Sequence, residues 1–588
     1  MSVAVDALFR HSRFFFAALI LGAAPVLAVD ILGGRILGHF TLYAVAQSAA
    51  VACLLTILVS RLRSRVLPAA ILTLYGLAAI IDTAHTAMLS RPLDAVSLSL
   101  MLDTNPSEAG GFLARYITLP VVGRTLLVLA VLAAAILLAD GVFRRLAAVP
   151  RLRVPLLVAV LAFAVPGVAG MVKCLSVLGI SSPDRFVIWC SLDNGNPTLS
   201  NTNRLDHSDI VTKAAWLAKN IAIDHASLKR WRAGLHDLAA TDVHASDAVR
   251  PDIVVVIGES FIKSHSSLYG YSLPTNPRLA REAGAGRLTP YTDVISAANF
   301  TIPSLRNLLN LNDLSAGEQW DTSAFWPLVL ARSGYRVFLY DNQYAPTAAT
   351  TGLEGLMYAP ELLEHCYAAT ADTVMGFDLD FLARVEPRMT PAVGAPRLTL
   401  WHLQGQHFSA ADRYPHRAPF MPFSAADITS DAPWLNAERR EELAHYDNAT
   451  AYNDSVLARI IAPLRDARPT LLVYFSDHGE ESWDNAPYGS RNAQFPDDAA
   501  WLRRQFDIPF VIWHNDSLAA ACPDLVSRIE ASAARPFMLD NLGQLVLGAA
   551  GINDPRFYRP GRDLLSPAYT PAARVTSAGY RYDAVTGR

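Results

Sequence analysis

The chain has 588 residues, of which 52% are hydrophobic and 18% charged, a balance too apolar for an ordinary soluble protein and too polar for one wholly embedded in lipid. A formal net charge of −3, with no Lys/Arg blocks and no aromatic spacing of an RNA-binding sheet, excludes nucleic acid as the expected partner. The composition predicts a membrane anchor joined to a globular domain.

Residues 1–175 carry the apolar excess. Stretches near 14–32, 42–60, 67–84, 122–140 and 154–173 are each long enough, at about 20 residues, to cross a bilayer as a helix. Arg10 and Arg13 precede the first stretch, Arg61, Arg63 and Arg65 separate the second from the third, and Arg144, Arg145, Arg151 and Arg153 separate the fourth from the fifth. The positive-inside rule assigns all three groups to the cytoplasm, so five crossings leave the rest of the chain outside. A cleavable signal peptide is the rival reading of the first stretch, given the small residues of Ala23-Ala24-Pro25-Val26-Leu27-Ala28. The apolar run exceeds the roughly 7–15 residues of a signal-peptide core, and cleavage would leave the same domain outside.

Residues 176–250 read as a linker. Asn194, Gly195, Asn196, Pro197 and Asn201 mark loops, and 210–238 carries a helical pattern that includes Trp216 and Trp231. A helix lying on the membrane surface and a helix packed on the outer domain both fit it. From 251 to about 570, apolar strands at 253–257, 337–340, 398–401, 471–475 and 510–513 alternate with helical stretches. Such alternation predicts an α/β domain with a mostly parallel sheet flanked by helices, its ligands gathered at the carboxyl ends of the strands. Residues 571–588 are assigned as a C-terminal tail. Five cysteines are present; Cys53 and Cys174 belong to the membrane segment, and Cys190, Cys366 and Cys522 allow at most one disulfide.

The polar motifs fall where strands end. One strand delivers Gly258-Glu259-Ser260 and another delivers Ser476-Asp477-His478-Gly479-Glu480, a donor set of carboxylates and imidazole that suits one shared cation. Asn299-Phe300-Thr301-Ile302-Pro303-Ser304-Leu305-Arg306 reads as a helix start with Thr301 as the cap and Pro303 in the first turn. Amides at such a start suit a phosphate, and a hydroxyl beside a cation becomes a usable nucleophile; a plain capping threonine is the alternative. Trp401-His402-Leu403-Gln404-Gly405-Gln406-His407-Phe408 follows a third strand. Its imidazoles suit metal ligation, phosphate binding or proton donation to a leaving oxygen. The structural alternatives are a buried polar contact for His402, a satisfied core histidine for His407 and a solvated loop carboxylate for Glu480.

Taken with Leu268-Tyr269-Gly270-Tyr271, Thr275-Asn276-Pro277, Arg413-Tyr414-Pro415, Tyr446-Asp447-Asn448, Tyr452 and Asp454, these motifs resemble those of bacterial phosphoethanolamine transferases, membrane enzymes of the alkaline phosphatase and sulfatase superfamily. Leu102-Asp103-Thr104-Asn105-Pro106-Ser107-Glu108-Ala109 resembles that family's segment between spans three and four. The resemblance implies a bacterial inner-membrane protein with five helices and a periplasmic sulfatase-like catalytic domain. It implies zinc held by Glu259, Thr301, Asp477 and His478, one ion with a second left open, manganese or magnesium fitting less well. Thr301 would take phosphoethanolamine from phosphatidylethanolamine, releasing diacylglycerol, and pass it to lipid A, lipopolysaccharide core or another envelope glycan. His407 would steady the phosphoryl group or assist the leaving oxygen, and Asn105, Glu108, His402, His407 and Glu480 would meet substrate.

Two departures from the family pattern stand out. The outer domain has too few cysteines for the several disulfides of lipid A-modifying members, and 481–510 contains no histidine after the Asp-His-Gly-Glu motif, offering Asp484, Asn485, Arg491 and Asn492 instead. Three alternatives remain. A phosphoglycerol transferase of the lipoteichoic acid synthase type would use the same four residues. A sulfatase or phosphodiesterase-like hydrolase is disfavoured by the threonine and the extra residue where sulfatases carry Cys/Ser-x-Pro-x-Arg. A metal-stabilised sensor without turnover would be indifferent to loss of the Thr301 hydroxyl.

Overall fold

The structure, a computed structural model, describes residues 7–34, 39–62, 66–89, 92–93, 97–98, 117–178, 209–246, 249–343, 353–367, 372–373, 376–386, 394–486, 489–490 and 498–588. The segment 102–109 with Asn105 and Glu108, the loops around 194–201, Cys190, Arg491 and Asn492 lie outside those residues. The chain divides into two units, Met1–His225 and Ala226–Arg588.

In the first unit, α1 (Ser12–Gly22), α2 (Ala24–Leu32), α3 (His39–Leu62), α4 (Val66–Leu89), α5 (Leu119–Ala147) and α6 (Arg153–Leu178) follow one another. Among the described residues four helices are long and apolar enough to cross a membrane, or five when α1 and α2, bent by 61°, count as one span. The stretch expected to run unbroken over 14–32 breaks at Ala23, because Pro25 in the first turn of α2 has no N–H to donate and crowds the preceding carbonyl. Small residues let the helices approach. A Cβ at Gly167 of α6 would lie 1.9 Å from the Ala46 carbonyl oxygen of α3, whereas one at Gly76 would meet nothing within 4 Å. The charged groups inside this unit include paired ones: Ser12 donates to Asp140 at 2.6 Å, Arg144 lies 2.9 Å from the same carboxylate, and buried Lys213 pairs with buried Asp82.

The second unit is built on a seven-stranded sheet. Its strands are β1 (Asp252–Gly258), β2 (Leu288–Pro290), β3 (Arg336–Asp341), β4 (Asp372–Thr373), β5 (Arg397–His402), β6 (Thr470–Ser476) and β7 (Phe510–His514). In space the order is β2-β7-β6-β1-β5-β3-β4. The run from β6 to β4 is parallel, and β7 lies antiparallel to both of its neighbours. All five expected strands are present, and both faces are buried, which is why they read as unbroken apolar runs rather than alternating ones.

One face packs Ile253, Val255 and Ile257 with Leu398, Leu400, Leu471 and Val473, covered by Leu305 and Leu308 of α8 (Thr301–Leu308). The other packs Val254, Val256, Trp401, Leu472 and Tyr474 under Val456, Leu457 and Ile460 of α9 (Ala437–Ile461). The expected helix at 210–238 is α7 (Ile210–Ala239). In its 226–239 portion Trp231 is buried in the first face's core, with its indole N–H donating to Asn310 at 2.9 Å. That portion packs on the globular unit, as the second of the two expectations had it. Residues 571–588 are also packed: Tyr582 is fully buried with its hydroxyl on Asp507, and Arg574 bridges Asp293 and Asp583. Cys366 and Cys522 are free thiols.

The loop after β1 is pinned to α9 by buried polar groups. The Tyr446 hydroxyl donates to the Ser260 carbonyl at 2.6 Å and accepts from the Ile262 amide at 2.8 Å. His265 sits with Nδ1 2.7 Å from Asp447 and Nε2 3.3 Å from Asp484, whose carboxylate also meets Arg504 at 2.7 Å. Burial opposes a charge on His265, but the two carboxylates outweigh it and raise its pKa from 6.5 to about 9.

Two predictions follow from this packing. Gly167→Leu overpacks the α3–α6 seam and should cost about 1–3 kcal/mol, lowering the melting temperature in detergent, whereas Gly76→Leu should leave it unchanged. A folded-state pKa raised above the unfolded value means that the His265 contribution is fully present below pH 6.5 and is lost as pH rises through about 9. Thermal midpoints measured across that window should fall in the wild type and flatten in His265→Gln; parallel curves for the two proteins contradict the pairing.

Candidate active site

Parallel pairing of Gly258 with Ser476 brings the carboxyl ends of β1 and β6 to the same level, so Glu259 and Asp477-His478 leave the sheet side by side. The Asp477 amide still donates to the Gly258 carbonyl at 3.0 Å, which extends the ladder by one bond. Glu259, Asp477 and His478 are completely buried, and each offers a donor atom within 4.8 Å of the others. His478 Nε2 lies 3.3 Å from Glu259 Oε1 and 3.2 Å from Asp477 Oδ2. Its Nδ1 lies 2.9 Å from the Gly479 carbonyl. A carbonyl only accepts, so the Nδ1 proton points there and the Nε2 lone pair faces the carboxylates.

Thr301 completes the cluster, with Oγ1 3.1 and 3.3 Å from the two oxygens of Glu259 and 3.3 Å from His478 Nε2. It is not the cap of α8. Phe300 holds that position in extended conformation with no side-chain cap, and Thr301 is the first helical residue, with Pro303 in the first turn as expected. A hydroxyl drawn to a carboxylate and an imidazole is unavailable to its own helix amides, which is the physical reason the capping reading fails. Ser304 ties α8 to the end of β6 by donating to the Asp477 carbonyl at 2.6 Å.

The turn after Glu259 is strained. Ser260 has φ 53°, in the left-handed region that side chains rarely occupy, and it is held there by its amide donating to Asp477 at 3.1 Å and its hydroxyl donating to Glu259 at 3.0 Å. Gly405 has φ +50°, and a Cβ there would stand 2.7 Å from the Glu259 amide nitrogen, so the loop carrying Gln404 to His407 lies flush against the metal-ligand turn only because it is glycine. Two buried carboxylates and a buried imidazole, joined by a half-buried hydroxyl, make a four-donor set of the kind that holds a divalent transition metal.

His402, the last residue of β5, is buried, with Nδ1 3.1 Å from Asp341. Burial opposes its charged form, yet Asp341, with Glu259 and Asp378 also acting, raises its pKa. His407 is half-buried in the following turn, where its amide donates to the Gln404 carbonyl at 3.1 Å and the Gln406 amide donates to the Glu259 carbonyl at 3.0 Å. Glu480 is buried, 5% exposed, and not a solvated loop carboxylate. Sequence reading missed Asp378. Completely buried in terms of charge, it accepts from the Gln404 amide at 3.0 Å, the Gly405 amide at 3.1 Å and the Asn342 side chain at 2.8 Å, and so shapes the histidine-bearing turn. In the sequence it is one acid among several opening a short helix, and nothing there sets it apart.

The sulfatase family model matches residues 251–552, just over half of the chain. The chain is 29% identical over 338 residues to phosphoethanolamine transferase EptC of Escherichia coli (strain K12), the match covering 57% of this chain and 56% of that protein. To phosphoethanolamine transferase EptA of Helicobacter pylori (strain ATCC 700392 / 26695) it is 28% identical over 277 residues, covering 45% of this chain and 48% of that protein. The chain thus matches about half the length of these curated relatives. The integral membrane protein lipooligosaccharide phosphoethanolamine transferase A from Neisseria meningitidis shares the fold at a TM-score of 0.60, with 16% identity over 95% of this chain and 99% of that one. The family match takes in Glu259, Thr301, Asp477 and His478, and on its extent the chain belongs to the sulfatase family.

Proposed function

We propose that the protein is a membrane-bound phosphoethanolamine transferase that works through a phosphothreonine intermediate. The observation that carries this reading is the Thr301 hydroxyl, 3.1 Å from Glu259 and 3.3 Å from His478 Nε2 at the first residue of a helix. The curated relatives bear the name of that activity. In this reading residues 1–175 form the membrane domain, 176–250 the linker and 251–570 the catalytic domain with 571–588 as its C-terminal tail. The protein sits in the bacterial inner membrane with its catalytic domain in the periplasm. Membrane helices keep the active site near a lipid donor.

Zinc, held by Glu259, Asp477, His478 and Thr301, would lower the hydroxyl's pKa and neutralise charge on the transferring group. Thr301 Oγ1 releases its proton to solvent and forms the new bond to phosphorus as the bond to the diacylglycerol oxygen of phosphatidylethanolamine breaks. His407 hands a proton to that departing oxygen. The first-turn amides of α8 point at the phosphoryl oxygens and stabilise the charge spread over them in the transition state. An acceptor hydroxyl on lipid A, lipopolysaccharide core or another envelope glycan then attacks phosphorus and Thr301 regains its proton. Asn105, Glu108, His402 and Glu480 bind the donor's head group or the phosphoryl group.

Intact mass of the purified chain, after incubation with phosphatidylethanolamine and zinc without acceptor, should show a phosphoethanolamine adduct on the wild type and none on Thr301→Ala. An adduct with phosphatidylglycerol alone would move the assignment to the phosphoglycerol transferases, and none with either lipid would sink the covalent mechanism. Asp477→Asn should bind zinc more than about tenfold more weakly in equilibrium dialysis, while Thr301→Ala keeps its far-UV circular dichroism; equal zinc retention by Asp477→Asn and wild type would remove Asp477 from the ligand set.

A further inference from the structure

Asp341 closes β3 and pairs in register with His402 at the end of β5, which in turn pairs with Ile257 of β1. Register partners in adjacent strands project from the same face, so these side chains form one row. Ile257 belongs to the core covered by Leu305 and Leu308 of α8. The row therefore lies on the side of the sheet where Thr301 begins α8, two residues short of the level at which β1 delivers Glu259.

The Asp341 carboxylate is a fully engaged acceptor. Its Oδ1 lies 3.1 Å from His402 Nδ1 and accepts from the Gln343 amide at 2.7 Å, and its Oδ2 accepts from the Tyr358 hydroxyl at 2.8 Å. Asp341 and His402 expose only 2% and 4% of their side chains. A carboxylate bound in this way accepts from His402 Nδ1–H, fixes the ring plane and favours the doubly protonated imidazole, whose Nε2–H is then a donor. The opposite ring atom, His402 Nε2, is buried and has no hydrogen-bond partner among the described residues. A buried nitrogen without a partner is costly, and a ligand oxygen is what relieves it.

We propose that Asp341, braced by Tyr358, is a positioning residue that presents His402 Nε2 to an oxygen of the phosphoryl group. The assignment rests on the phosphoryl-transfer reading of this site. It extends that reading to a carboxylate that touches neither the substrate nor the metal ligands, and it gives His402 a defined atom and direction rather than general proximity.

The test uses the zinc-loaded full chain in detergent, titrated calorimetrically with inorganic phosphate. Asp341→Asn and His402→Gln should each weaken phosphate binding about tenfold, and the double variant should be no weaker than either single one, because Asp341 acts only through the imidazole. In turnover with phosphatidylethanolamine, Asp341→Asn should lower kcat and leave KM unchanged, with Asp341→Glu restoring part of the loss. Should Asp341→Asn fail to fold, Tyr358→Phe removes a donor from the same carboxylate and takes its place in the cycle, the same non-additivity being required. Additive losses, or unchanged phosphate binding in a folded, zinc-replete Asp341→Asn, overturn the proposal, as does a wild type that binds no phosphate. Phosphate binding with non-additive losses but no turnover of any lipid donor upholds the positioning role and rejects the transferase reading instead.

Discussion

Burying two carboxylates side by side is unfavourable by several kcal/mol per ion unless a counter-charge comes with them, and the sheet-bearing unit of this protein is organised around that constraint. Glu259 and Asp477 end adjacent parallel strands, both wholly removed from solvent, with His478 and Thr301 completing the ring. A cation at their centre would turn the repulsion into attraction and tie three distant segments of chain together. Metal binding in such a site is also folding energy, because the donors meet only in the folded state.

The neighbouring structure reads as support for that convergence. The left-handed turn at Ser260 is an unfavourable conformation for a serine, and it persists because it aims Glu259 inward while its own amide and hydroxyl bond to Asp477 and Glu259. The buried network of Tyr446, His265, Asp447 and Asp484 fastens the same turn to the long helix on the far face of the sheet. On the near face, Ser304 locks the helix that begins at Thr301 to β6. Asp378 and Gly405 bring the histidine-bearing loop flush against Glu259. Each device uses groups buried enough that water cannot compete for them, which is why few contacts suffice.

The helical unit obeys the opposite rule. Its outward surface is apolar, and its specificity comes from small residues and a few paired polar groups: the Gly167–Ala46 approach, the Asp140 cluster and the Lys213–Asp82 pair. A bend at Ala23 divides what the hydropathy pattern read as one uniform stretch, since hydropathy registers the apolarity of Pro25 and not its missing donor.

The sequence alone determined what depends on local pattern. Apolar length announced the membrane helices, unbroken apolar runs announced the strands of a doubly covered, mostly parallel sheet, and Glu259 and Asp477-His478 were visible because each follows such a run directly. Thr301 was visible as a helix start, but which partner its hydroxyl would choose was not. A capping bond is local and a bond to Glu259, 42 residues away, is set by where α8 docks. The same holds for Glu480, which local polarity assigns to solvent and the fold buries, and for the pairing of Asp341 with His402, 61 residues away, and of Asp378 with the Gln404 amide, 26 residues away. Strand order, register and the docking of α8 decided those contacts, because they arise from burying two faces of one sheet at once and leave no periodicity in the chain.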